Sequence, residues 1–587
     1  MRIAVVRKDR CKGGIDCDYL CRKFCPKVRA KQDAIKIGED NKPIIDENLC
    51  IGCGICIKKC AFNAISIVNI PEKIESKVIH RYGKNGFVLC RFAIPRFGKI
   101  IGILGRNGIG KTTTLNILSG KLKPNFGNIE AKIEERDIIN FFRGTETQKY
   151  FKDLFEGKIR VSVKPQHIDV LSTFKGSVVN FLENFGSHER MMELANLLGI
   201  QDILDRRVQN LSGGELQRVA IAACLLRDAN VFFIDEPSSY LDIKQRLNVC
   251  KIIRKKSNEN NCIFVVEHDL IALDYMCDFI HIMFGEEGVY GIMSNLLGSR
   301  EGINSFINGY LRDENIKFRE YQIKFETKLP TRAIDSAISL EWPRLEKNLG
   351  TFKLVVNPGR ISVNEVIGII GENAIGKTTF AKIIAGELNP DNCKLDLNIK
   401  ISYKPQYIEI ESRESVREVL SKINKNFMSE EYRNFYISLG VHHLFDKRIN
   451  ELSGGELQSV AIVSCLLREA DLYLLDEPSA HLDVEQRITI AKIIRDFAKM
   501  KKKNVFVIDH DLLFIDYLSD KLLVFTGTPS KQGICSGPYE MREGMNMFLK
   551  EIGITFRRDD VTNRPRPNKL DSVKDREQKE IGEYYYD

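Results

Sequence analysis

LSGGELQ (211–217) is followed by VFFIDEP (231–237), and the pair returns 241 residues later as LSGGELQ (452–458) and LYLLDEP (472–478). A glycine-rich GxxxxGKT precedes each pair, GRNGIGKT (105–112) and GENAIGKT (371–378). Upstream of the first loop, KIIGIL (99–104) is a continuous apolar run, as in a strand buried on both faces. It leads through the loop into a helix expected from Thr113. Strand, glycine-rich loop and helix start, present twice with the same motifs trailing in order, imply two α/β nucleotide-binding units.

In such a loop the glycines let backbone N–H groups face the β- and γ-phosphates of a nucleotide. The expected contacts are Gly105, Arg106, Asn107, Gly108, Ile109, Gly110, Lys111, Thr112 and Thr113. Their counterparts are Gly371, Glu372, Asn373, Ala374, Ile375, Gly376, Lys377, Thr378 and Thr379. Lys111 and Lys377 neutralise phosphate charge, and the Thr112 and Thr378 hydroxyls coordinate Mg²⁺. Asp235 and Asp476 end apolar strands and are expected to hold the ion through water. Glu236 and Glu477, next in sequence, are the candidate general bases for the attacking water. Ser212, Gly213 and Gly214, like Ser453, Gly454 and Gly455, open helices whose N-termini can cradle a phosphate.

Phosphate loop, signature and acidic strand end in that order resemble the ATP-binding cassette family. The resemblance implies further roles. His268, at the end of the strand expected over IFVVEHD (263–269), and His510 match the family's switch histidine at the γ-phosphate. Gln166 in VKPQ and Gln406 match the loop glutamine that senses Mg²⁺ and the γ-phosphate. Tyr82 lies where an aromatic ring stacks on adenine, with Phe87 as the competing choice. Each signature serves the opposite cassette, pairing Lys111 with Ser453 and Lys377 with Ser212, and Asp242 and Asp483 touch across the same interface.

The chain has 587 residues, 43% hydrophobic and 28% charged, room for three or four domains. No apolar run approaches the roughly eighteen residues of a spanning helix, and MRIAVVRKDRC (1–11) is not a signal peptide. Spans for any transport activity would therefore belong to another chain. The net charge of +9 is compatible with a nucleic-acid or ribosome partner and equally with a solvated lysine-rich surface.

Eight of the 16 cysteines fall within residues 11–60, and the other eight read as small core residues. In a reducing cytosol the crowded ones imply metal ligation. Cys50, Cys53, Cys56 and Cys60 have the CxxCxxCxxxC spacing of bacterial-type ferredoxins, in which the fourth thiolate serves the other cluster. Cys11, Cys17, Cys21 and Cys25, followed by Pro26, form a looser run. Carrying over crossed ligation puts one 4Fe–4S cluster on Cys11, Cys17, Cys21 and Cys60, and a second on Cys25, Cys50, Cys53 and Cys56. Zinc suits thiolates too, but four-cysteine zinc sites are usually two separated CxxC pairs. Ala61 stands where the motif normally has proline. Clusters here staple a head with little apolar core; electron transfer is the alternative role.

From Lys111 to Gln166 is 55 residues, against 29 from Lys377 to Gln406, so the first cassette carries about 26 extra. They read as a helix–loop–helix near 134–158. Ile138, Ile139, Phe141 and Phe142 are its first apolar stretch, Arg143 and Gly144 the break, and Thr145 with Gln148 a capping box for a helix carrying Tyr150, Phe151, Leu154 and Phe155. Arg136, Arg143, Lys149 and Lys152 surround the apolar faces and suit a partner; a hairpin packed on its own cassette is the plainer alternative. In the second cassette Leu349 replaces the aromatic expected at Tyr82's place, leaving adenine to Phe352. Ser459 replaces Arg218, which puts in doubt any salt bridge from that helix.

GYLRDENIKFRE (309–320) links the repeats. FRRDDVTNRPRPNKL (556–570) is a basic, proline-punctuated strap, and the polar end beyond it is expected to be disordered. The expected domains are a ferredoxin-like α+β head at 1–72, cassettes at 73–310 and 331–548, a hinge at 311–330, and a second hinge with tail at 549–587.

Head, fused cassettes, one-sided insertion and tail together resemble subfamily E of the cassette ATPases, the ribosome-recycling or RNase L inhibitor family, over nearly the whole chain. The resemblance implies a cytoplasmic, monomeric, Mg²⁺-dependent ATPase. It would split ribosomes after termination or rescue, binding the small subunit through rRNA and ribosomal protein beside a release factor or its rescue paralogue, with initiation factors as further partners. Alternatives are a twin-cassette ATPase in another translation or ribosome-biogenesis step, a transporter's ATPase subunit, and an ATP-driven electron carrier.

Overall fold

The computed structural model describes residues 2–8, 10–69, 78–325, 338–406 and 413–586. The expected boundary at 72/73, residues 326–330 of the hinge and the start of the second cassette at 331 lie outside the described residues. The chain divides into two compact units: Met1–Pro237, Ile253–His268 and Cys277–Glu320; and Ser238–Ile252, Asp269–Met276 and Tyr321–Asp587.

In the first unit, the strands Phe279–Glu286, Lys99–Gly105, Cys262–Val266, Val231–Asp235 and Val161–Lys164 run parallel in that spatial order. Lys99–Gly105 past its first residue, Cys262–Val266 and Val231–Asp235 are buried at every position, side chains of both faces included, which is why they read as unbroken apolar runs. The loops after their carboxyl ends carry the phosphate loop and the acidic pair, as open α/β sheets require. Val78–Arg81, Val88–Cys90 and Tyr290–Met293 extend the sheet beyond Phe279–Glu286. The strand before His268 ends at Val266 rather than at the histidine, which sits two residues into the following loop. The helix after the phosphate loop starts at Lys111 and not at Thr113, because Gly110 at φ 98° turns the chain into it directly.

The head packs on the same unit. Arg2–Val6 pairs antiparallel with Ile65–Asn69, and Ile35–Ile37 with Pro43–Ile45. Arg81 forks onto Glu47 at 2.8 and 2.5 Å, and the Ser66 hydroxyl donates to Glu286 at 2.9 Å. The buried Asn85 amide accepts from Ile45 N at 2.7 Å and donates to the carbonyls of Ala4 and Ile45, both at 2.9 Å. Asn85→Ala leaves those backbone groups unpaired at about 1–3 kcal/mol each. The expected result is a lower thermal midpoint with faster hydrogen exchange in residues 2–6.

The insertion forms two helices, Glu135–Phe141 and Glu146–Phe155. Ile138, Phe142, Tyr150 and Phe151 join the core of their own cassette, and the Tyr150 hydroxyl donates to Leu118 O at 2.7 Å. Arg136, Arg143, Lys149 and Lys152 stay exposed. The expected Thr145–Gln148 capping box does not form. The Thr145 hydroxyl turns back to Phe142 O at 2.6 Å and Gln148 accepts from Gly144 N at 3.0 Å, fastening the loop instead of the helix start. A box forms one helix earlier, between Glu134 and Asp137. The link 309–320 contains a hairpin, Tyr310–Leu311 with Ile316–Lys317, and buried Arg319 is bonded to Phe306 O and Ile307 O at 2.5 Å each.

In the second unit, Lys521–Thr528, Val366–Ile370, Asn504–Ile508, Leu472–Asp476 and Ile401–Lys404 repeat the parallel order. The polar end is ordered, contrary to its composition. Val573–Ile581 is a helix, and Tyr585 pairs beside Phe556–Arg558. Buried acids hold the strap. Arg558 forks onto Asp516 at 2.8 and 3.0 Å; Arg564 and Arg566 reach Asp274 at 2.8 and 2.9 Å; the Tyr585 hydroxyl donates to Asp516 at 2.6 Å.

Candidate nucleotide and cluster sites

The two phosphate loops share one geometry. Buried Lys111 donates to Gly105 O and Arg106 O at 2.8 Å each, and its amine lies 3.1 Å from His268 Nε2. Lys377 donates to Gly371 O and Glu372 O at 3.0 and 2.6 Å. Burial lowers Lys377 to about 8 despite the pull of Asp242 and Glu477, and an anion seated in the loop would raise it again. Gly108 is at φ 69° and its counterpart Ala374 at φ 56°. Alanine is strained there, so Ala374→Gly is expected to stabilise the nucleotide-free protein by about 1 kcal/mol in a thermal melt. Gly108→Ala should destabilise, since its Cβ would come within 2.6 Å of Glu287.

Each acidic pair gathers the same partners. Gln166 Nε2 donates to Glu236 Oε1 at 2.7 Å, and Gln406 Nε2 to Glu477 Oε1 at 2.8 Å. His268 Nε2 is 3.7 Å from Glu236, and His510 Nε2 is 3.5 Å from Glu477. Burial raises Asp235 to about 7 and Asp476 to about 6, in both cases aided by the neighbouring glutamate. Thr378 Oγ1 opposes this by donating to Asp476 at 2.9 Å. Buried carboxylates, in the second cassette beside a threonine hydroxyl, suit a divalent cation, which would lower both values again.

Sequence reasoning passed over two residues at each centre. Buried Lys164 donates to Asp235 O and Glu236 O at 2.7 and 3.2 Å, and Lys404 to Asp476 O and Glu477 O at 2.7 and 3.3 Å. Gln217 and Gln458 donate to the carbonyls of Glu236 and Glu477 at 2.7 and 2.5 Å. The signal was present: VKPQ and YKPQ, and the last residue of LSGGELQ, recur in both cassettes.

The signature helices Gly213–Leu226 and Gly454–Leu467 start with capping boxes, Ser212 with Glu215 and Ser453 with Glu456. Ser212, Gly213, Ser453 and Gly454 remain exposed, while Gly214 and Gly455 are half-buried. Arg218 donates to Leu198 O at 3.1 Å and Gly199 O at 2.8 Å. Ser459 bonds Gly455 O at 3.1 Å. Asp242 accepts from Gln245 N at 2.8 Å and from Asn373 N at 3.0 Å, and Asp483 caps its helix through Gln486 N at 2.9 Å.

Tyr82 is half exposed, with its hydroxyl 3.2 Å from Thr113 Oγ1. Phe87 packs under Gly110, and Phe352 takes the same place under Gly376. Leu349 thus holds Tyr82's exposed position. In the head, Cys11, Cys17, Cys21 and Cys60 line one small cavity. Burial, with Cys17, Cys60 and Cys11 nearby, raises Cys21 to about 11, and burial with Cys50 and Cys53 raises Cys56 to about 12. Among the described residues no three His, Cys, Asp or Glu side chains converge on a single ion. A cubane does not require that, since each thiolate ligates its own iron.

The family described as "ABC transporter" matches residues 92–239 and 358–480, and "4Fe-4S binding domain" matches 43–66. "ABC transporter E family member 1" of Arabidopsis thaliana is 42% identical over 100% of this chain and 98% of its own length. The chain belongs to the E family of ATP-binding cassette proteins. This E-family chain is an ABC ATPase with a 4Fe–4S domain. It is also similar to the archaeal protein in "Model of ribosome-bound archaeal Pelota and ABCE1", with TM-score 0.93 and 51% identity over 100% of this chain and 99% of that one. The archaeal ribosome recycling factor solved in complex with the ribosomal stalk protein aP1 has TM-score 0.83 and 50% identity, covering 88% of this chain and 100% of that one. Among the described residues no helix is long and apolar enough to cross a membrane.

Proposed function

We propose that this E-family protein splits ribosomes into subunits, using ATP-driven closure of its cassettes to move the iron–sulfur head. The observation that carries the reading is the full-length likeness to an archaeal relative solved in a ribosome-bound state. Each ATP lies on one phosphate loop and on the signature of the other cassette, Lys111 with Ser453 and Lys377 with Ser212. Thr112 and Asp235, and Thr378 and Asp476, hold Mg²⁺ with Gln166 and Gln406. Glu236 and Glu477 take a proton from the attacking water, and His268 and His510 meet the γ-phosphate. Asp242 and Asp483 meet the facing site, Tyr82 stacks on the first adenine, and Phe352 backs the second. ATP favours the closed form, and loss of the γ-phosphate releases it.

Two 4Fe–4S clusters fit the head, one on Cys11, Cys17, Cys21 and Cys60 and one on Cys25, Cys50, Cys53 and Cys56. They would supply rigidity that its small core lacks. Iron should measure about eight per chain and fall by about half in Cys21→Ser. The partners are the small ribosomal subunit, met through rRNA and ribosomal protein by the exposed cations of the insertion, and a release or rescue factor. Initiation factors are further partners, and the protein works as a cytoplasmic monomer.

The test is co-sedimentation of the purified chain with ribosomal subunits in ATP, a non-hydrolysable analogue or ADP. Nucleotide-dependent retention on the small subunit, with loss of intact ribosomes when release factor is added, is the expected result. No association under any nucleotide would sink the reading.

A further inference from the structure

Both candidate base glutamates have left-handed backbone, Glu236 at φ 47° and Glu477 at φ 48°. For a non-glycine residue this conformation is costly and persists only where the surroundings over-determine it. The surroundings here are specific. The Glu236 N–H donates to Val266 O at 2.8 Å, and the Glu477 N–H to Ile508 O at 2.8 Å. Each glutamate carbonyl receives two buried side-chain donors, a lysine from the strand before the loop glutamine and a glutamine from the signature helix.

We infer that Lys164 with Gln217, and Lys404 with Gln458, are positioning residues for hydrolysis that clamp the main chain of the base glutamate and so aim its carboxylate. The inference rests on the reading of Glu236 and Glu477 as bases. Strand geometry supports it. Lys164 and Gln166 are two residues apart, so the same strand end holds the carbonyl with one side chain and the carboxylate with the other. The pair Lys404 and Gln406 does the same in the second cassette. Gln217 lies five residues beyond Ser212, on the helix that opens with the signature, so movement of that helix reaches the carbonyl of its own cassette's base. All four side chains are at most 3% exposed, so water does not compete for the carbonyl. The same two donors meet the same glutamate carbonyl in both cassettes, with Lys404 240 residues after Lys164 and Gln458 241 residues after Gln217.

The test uses the full-length protein carrying Lys164→Met with Lys404→Met, Gln217→Leu with Gln458→Leu, and the milder Gln217→Asn with Gln458→Asn, whose amides fall short of the carbonyl. Turnover is measured by phosphate release, ATP affinity by titration with a fluorescent ATP analogue, and folding by thermal midpoint. The expected result is a kcat lower by about tenfold or more with an unchanged nucleotide Kd, as misplacement of a reacting group produces. Parental kcat in the folded variants, or a Kd that rises in step with the fall in kcat, would overturn the clamp. The variant Glu236→Gln with Glu477→Gln runs alongside. If it keeps parental turnover, the base reading itself falls; if it is inactive while the clamp variants are fully active, only the clamp does.

Discussion

Replacing Glu236 and Glu477 together by glutamine is expected to lower ATP turnover by about 10²–10⁴-fold, the range of a lost general base, while nucleotide binding persists. Glutamine keeps the size of the side chain and the acceptor that Gln166 and Gln406 address, so the loop geometry should survive. What disappears is the ability to take a proton from water. Binding should be spared, because in the proposed site the phosphates are met by backbone N–H groups and by Lys111 and Lys377. In the free protein burial would push Glu477 up, but His510, Lys377 and Gln406 outweigh it and hold the carboxyl at about 2. An anionic γ-phosphate drawing Lys377 and His510 to itself would raise that value towards a useful base. Phosphate release with a parallel nucleotide-retention assay checks the prediction, and turnover within twofold of the parent would refute it.

Asp274→Ala is expected to cost about 3–5 kcal/mol, the usual penalty for removing one partner of a buried ion pair. Asp274 and Arg564 are almost wholly buried, and Arg566 shares the same carboxylate. Alanine leaves two guanidinium groups facing a site that has lost its anion. A lower thermal midpoint, with hydrogen exchange rising through residues 556–586, is the expected readout. Arg564→Met in the same background should recover part of the loss, because it removes one of the stranded charges. Asp516→Ala should act on the same segment from its other side, since Arg558 and Tyr585 both bond that carboxylate.

The cassette fold, the phosphate loops and the cysteine-rich head were legible in the chain because their causes are local. A loop that must turn helix N–H groups towards phosphate needs glycines at set places. A strand buried on both faces needs an unbroken apolar run. Cluster ligands need thiols a few residues apart. The misread features turn on competing partners that spacing and composition do not choose. Thr145 and Gln148 have the spacing of a capping box, yet a neighbouring carbonyl and N–H in the loop compete for them and win. The polar end has the composition of a disordered tail, but Tyr585 and the strap arginines find carboxylates 42 to 292 residues away in sequence, and those bonds order it. By itself the sequence determined the two cassettes, the 4Fe–4S head and the apolar runs that build parallel strands, and it named the residues proposed for phosphate and cluster. Only the tertiary structure decided that Lys164 and Gln217, 53 residues apart, meet on one carbonyl, because strand order and helix packing, not spacing along the chain, bring such donors together.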